Sequence, residues 1–141
     1  MKPLLFILLA SLLPCLLKAS TDDEVEARKI VQELAGAFAN DGFKLRDGCW
    51  IAPIQTANHK LIQVNLYAGN QYWFCAGATA PAKKLLLTVF DENGKAMEVN
   101  NYQNGQTAAA GFSPELSGSY YVRIQEVDGE PASFCFIYTY K

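Results

Sequence analysis

The chain has 141 residues, 12 basic against 14 acidic side chains, a formal charge of −2, four cysteines and a single histidine. That length supports one domain with a real core. No run of lysine or arginine exists, which excludes an electrostatic footprint for nucleic acid or anionic lipid.

The opening "MKPLLFILLASLLPCLLKAS" reads as a secretory signal over residues 1–20. Lys2 supplies the positive start, Leu4 to Leu17 are almost uninterrupted apolar residues, and Ala19 and Ser20 are small. The apolar run falls short of the roughly 20 residues of a membrane span, and Pro14 weakens a long helix. Cys15 follows "LLP", without the small residue that precedes a lipidated cysteine, and reads as filler of the signal. Cleavage after Ser20 leaves residues 21–141 as a single domain with no membrane span, secreted or periplasmic. Cys49, Cys75 and Cys135 then meet conditions in which disulfides form.

"TDDEVEARKIVQELAGAFANDG" predicts a helix over residues 22–40. Thr21 and Glu24 have capping-box spacing, and the acids Asp22, Asp23, Glu24 and Glu26 suit the positive end of the helix dipole. Ala27, Ile30, Val31, Leu34 and Phe38 make one apolar stripe, so the helix must dock on a surface. Gly42 is placed to take a left-handed cap.

From Phe43 the hydrophobic period changes to two, which predicts a β-sandwich over residues 43–141. "KLIQVNLYAG" alternates cleanly, and "QYWFCAGA" follows across a turn. "KKLLLTVFDENG" is apolar on both faces and reads as a central strand ending in a turn. "AMEVNNYQNGQ" is a weak strand and loop, and "TAAAGFSPELSG" has side chains small enough to lie under something bulky. "SYYVRIQEV" and "SFCFIYTYK" alternate again on either side of "DGEPA". Short strands at this spacing predict a mainly β fold, an antiparallel jelly-roll-like sandwich behind one amphipathic helix.

Over residues 61–140 the order of these strands resembles the bacterial pre-peptidase C-terminal domain, a small secreted β-sandwich. The resemblance rests on Gly69 and Tyr72 in the first turn, Asp91 and Gly94 in the second, and Gly118, Tyr120 or Tyr121, Val122 and Ile124 in the late strand. It implies a jelly-roll-like sandwich without a catalytic group, serving folding, secretion or substrate binding. Where many members carry acids at the start of the central strand, this chain has Lys83 and Lys84, so a cation site tied to those acids is not expected.

Cys75 and Cys135 sit in aromatic strand contexts, "WFC" and "FCF", without His, Lys or Arg within three residues. A thiol nucleophile wants an electropositive, accessible site, so these two are expected to form a disulfide. Cys49 in "RDGCWIAP", read as irregular chain, is left as a free buried thiol, an intermolecular partner or the partner of Cys75. His59 in "TANHK" reads as a solvated turn. One histidine cannot complete a zinc site, and no G-x-S-x-G exposes a serine. No catalytic residue, metal or cofactor is therefore expected.

The expected function is a secreted non-catalytic module that binds an extracellular or envelope protein, a peptide or a polysaccharide. Trp50 and Tyr102 are the aromatics expected to be exposed for contact. Two alternatives stand beside it: a small hydrolase using Cys49 or a serine with His59, and a structural envelope or matrix component.

Overall fold

The computed structural model describes residues 22–39, 41–46 and 48–141. The signal read over residues 1–20 and the capping-box Thr21 lie outside the described residues.

Helix α1 spans Asp22–Ala39, opening with three acids in its first turn. Beyond it Gly42 takes a φ of +86°, the left-handed backbone that glycine adopts without strain. Among the described residues nine strands follow: β1 Lys44–Leu45, β2 Trp50–Ile54, β3 Lys60–Leu66, β4 Tyr72–Ala78, β5 Ala82–Phe90, β6 Asn100–Asn104, β7 Thr107–Phe112, β8 Gly118–Gly129 and β9 Ala132–Tyr140. All pair antiparallel. The larger sheet has six strands in the order β1-β9-β4-β7-β6, with β2 also on β9; the smaller has three, β3-β8-β5. The fold is therefore mainly β, two antiparallel layers and one helix. No helix among the described residues is long and apolar enough to cross a membrane.

The alternation of the sequence builds the core directly. Ile62, Val64 and Leu66 of β3, Leu85, Leu87 and Val89 of β5, and Tyr120, Val122 and Ile124 of β8 turn inward from the smaller sheet. They meet Tyr72, Phe74, Phe136, Tyr138 and the small Ala108 and Ala110 of the larger one. The outer face of the larger sheet is covered by α1, through a second cluster of Ala27, Val31 and Ala35 against Cys75, Ala109, Cys135 and Ile137. That third layer is why β4 and β9 are buried on both faces.

Two sequence expectations change. "KKLLLTVF" is an edge strand, β5, and the middle of its sheet is β8. Its second apolar face is shielded locally, with the Arg123 guanidinium 5.1 Å from the Phe90 ring centre. Its free edge is occupied by Met97, whose N–H bonds to Val89 O, and by Gly105, whose carbonyl accepts from Leu85 N–H. The stretch around Cys49 is also more ordered than expected, because "WIAPI" is the strand β2. Pro53 is tolerated there because β2 pairs only with β9.

Candidate functional site

Among the described residues Cys49, Cys75 and Cys135 stand as thiols, and the expected Cys75–Cys135 bridge is not formed. Both are fully buried, on neighbouring strands as expected, but the register sets Cys75 opposite Ile137 and Cys135 opposite Gly77. Burial pushes the Cys75 thiol up to about 12. Cys135 also rises to about 12, first through burial and then through the charge and hydrogen bond of Cys49, opposed by Arg28. Cys49 itself is exposed rather than buried, because it precedes the β2 ladder and lies outside both core clusters.

Trp50 and Tyr102 are exposed as expected, at 38% and 39%. They do not share a patch. Trp50 pairs with Phe136 and sits on the core side of the larger sheet, its ring 5.4 Å from that of Phe136. Tyr102, on β6, pairs with Ala109 on the helix side of the same sheet. Three strands, β9, β4 and β7, lie between β2 and β6.

His59 is exposed in the link between β2 and β3. The shallow cleft beside Cys49 is walled by Trp50, Ala52, Lys60, Leu61 and Phe134, and His59 is not in it. Among the described residues no group of three or more His, Cys, Asp or Glu side chains could hold a metal ion.

A concave region lies where the chain crosses from β5 to β6. Asp91 organises that crossing: its Oδ1 accepts the N–H groups of Asn93 and Lys95, both at 2.9 Å. The turn folds the chain back onto β5, with Phe90 bridged to Ala96, before β6 joins the other sheet. Facing it, the segment after β7 is pinned by the Tyr120 hydroxyl, which donates to Leu116 O at 2.7 Å, and by Phe112 edge-on to Tyr120.

Two open grooves result, of about 730 and 680 Å³. They share Met97, Glu98, Phe112 and Ser113. The first is lined by Gln71, Trp73, Thr88, Asn100 and Asn101 among others. The second carries Asp91, Glu92, Glu98 and Glu115 against the single Lys95, with Ser117 and Ser119 on its far side. Neither contains Cys49 or His59, so the serines in the second groove have no imidazole beside them. The chemistry on offer is hydrogen bonding and attraction of positive charge.

The sequence reading missed these residues because their signal is weak. "MEVNN" is polar and aperiodic, and its role comes only from the crossing between layers. Compared with family models and with curated proteins, the chain matches none.

Another feature went unread. Glu126 is 1% exposed, on the inward face of β8, and neither carboxylate oxygen has a hydrogen-bond partner among the described residues. Burial, followed by the charges of Glu130 and Asp128, raises its pKa.

Proposed function

We propose that this chain is a secreted or periplasmic non-catalytic module. It takes an extended polar polymer, an envelope polysaccharide or a peptide strand, along the groove beside β6. The observation that carries this is the pair of adjoining open grooves with a shared wall of Met97, Glu98, Phe112 and Ser113. A long open trough lined by amides, hydroxyls and carboxylates suits several successive polar units of a chain, whereas small molecules favour enclosed, mainly apolar pockets. The four carboxylates of the second groove disfavour anionic polymers and favour ligands bearing amines.

The jelly-roll-like topology and the likeness to the pre-peptidase C-terminal domain belong to the same proposal. Support comes from the turns at Gly69 and Asp91–Gly94 and from the late strand starting at Gly118. Export rests on the apolar opening of the sequence.

The test is a binding screen of neutral, amine-bearing and anionic glycans and of extended peptides, on wild type, Asn101→Ala and Glu98→Gln. Micromolar binding to a neutral or amine-bearing polymer, weakened at least several-fold by either change, is expected. Hydrolysis of a peptide or ester that disappears with Cys49→Ser or His59→Ala would replace this reading with the enzyme.

A further inference from the structure

Cys75 and Cys135 are interior residues of two central strands, held by ladders on both sides. The register makes them diagonal neighbours, and such positions stand about 7–8 Å apart. A disulfide does not span that distance without backbone movement. Bridging them would mean shifting the middle of the sheet.

Cys49 is held differently. It precedes the first ladder residue of β2, Trp50, and follows Gly48, which takes a φ of +99° with open space around it. Ile51 pairs with Cys135, so Cys49 stands on the same kind of two-residue diagonal and the same side, but beyond the end of the β2 ladder, where the backbone movement a bridge requires breaks no pairing. Cys49 and, in the opposite sense, Arg28 of α1 are the groups whose charges act on the Cys135 thiol. An exposed cysteine outside the ladder thus neighbours a buried cysteine on a fixed strand.

We propose that Cys49 and Cys135 are a redox-active dithiol that closes to a disulfide by exchange with a small-molecule disulfide of the glutathione type. Cys49, as the thiolate, attacks one sulfur of the small disulfide and releases its other half as a thiol. Cys135 then loses its proton and attacks the Cys49 sulfur of the mixed disulfide, expelling the second half. Two protein S–H bonds break and one S–S bond forms. The small disulfide takes both electrons and both protons and leaves as two thiols. Burial keeps Cys135 protonated in the reduced chain, so the second step is the slow one. The product ties the start of β2 to the middle of β9 and leaves Cys75 as a sealed thiol.

The experiment starts from the full chain, reduced, and adds oxidised glutathione. Trypsin then places Cys49, Cys75 and Cys135 each on its own peptide, residues 47–60, 61–83 and 124–141, for mapping without reductant. The expected result is loss of two of the three thiols at Cys49, Cys75 and Cys135, a chain that stays monomeric, and a link between peptides 47–60 and 124–141. The thermal midpoint should rise by about 5 °C or more, because the bridge closes a long loop. Cys49→Ser, at an exposed position, should abolish the link, and Cys75→Ala should leave it unchanged. A link between 61–83 and 124–141, a dimer through Cys49, a stable glutathione adduct with two thiols remaining, or three thiols remaining would each overturn the proposal.

Discussion

Gly77 of β4 lies directly beneath Ile30 of α1. A β-carbon at Gly77 would come within 2.8 Å of Ile30 Cγ2 and 3.0 Å of the Val31 backbone nitrogen. The glycine sets how closely the helix approaches the sheet. A similar bare patch at Gly111 receives the Trp73 ring, which stacks on Phe38 of α1 with centroids 4.4 Å apart. Gly77→Ala should therefore push the helix off its seat and cost about 1–3 kcal/mol, as overpacking does in a close-packed core. Urea unfolding with an unchanged m value and a lower midpoint is the expected signature. An unaffected midpoint would mean that α1 is not held where Gly77 meets it.

Glu126 makes stability depend on pH in an unusual direction. Its folded pKa is raised above the ordinary 4.5 by burial and by Glu130 and Asp128. Below 4.5 both folded and unfolded chains hold the proton, and the fold keeps its full stability with respect to this group. As the pH rises past that value the unfolded chain ionises first, so stability falls until the folded carboxyl also ionises. The loss has a slope of at most about 1.4 kcal/mol per pH unit. Glu126→Gln should remove this component of the decline. Denaturant midpoints from pH 4 to 8 on both proteins give the comparison, and parallel curves would show that Glu126 is solvated.

The helix and the alternating strands were legible because each carries its own period. Ile30, Val31 and Leu34 recur at helical spacing, and Ile62, Val64 and Leu66 at strand spacing, so local pattern and tertiary burial agree. The misreadings share a different cause. Leu86 and Phe90 made β5 look buried on both sides, but the shielding comes from Arg123 on another strand. "WIAPI" has too few residues and a proline, so β2 is defined by β9 rather than by its own periodicity. The cysteines show the limit most clearly. That β4 and β9 are neighbours could be inferred, but a register offset of two residues decides whether two sulfurs can meet. The groove was the least legible part, since Glu98, Asn100 and Asn101 form it only through the crossing between sheets.

Thiol reactivity in the native reduced chain should single out one residue. Cys75 and Cys135 are fully buried, with pKa values pushed to about 12, so neither is accessible nor ionised near neutral pH. Among Cys49, Cys75 and Cys135, iodoacetamide at pH 8 should label Cys49 alone, and all three once urea unfolds the chain. Rapid native labelling of Cys75 would show that α1 lifts from the sheet, because the helix is what covers that face.

The two exposed aromatics should separate by role. Trp50 leans on Phe136 and Tyr138 at the margin of the core, at ring distances of 5.4 and 6.2 Å. Trp50→Ala should therefore cost about 1–3 kcal/mol of stability and leave polymer binding unchanged. Tyr102 is 39% exposed and follows Asn100 and Asn101, which line the first groove. Its replacement by Ala should change stability by less than about 1 kcal/mol and weaken binding of any groove ligand. With strands about 4.8 Å apart, β2 and β6 are separated by roughly 19 Å, too far for the residues to couple. The double variant should then show the Trp50 effect on the unfolding midpoint and the Tyr102 effect on affinity, each at its single-variant size. Binding lost with Trp50→Ala but retained with Tyr102→Ala would move the ligand from the β6 groove to the shallow cleft beside Cys49.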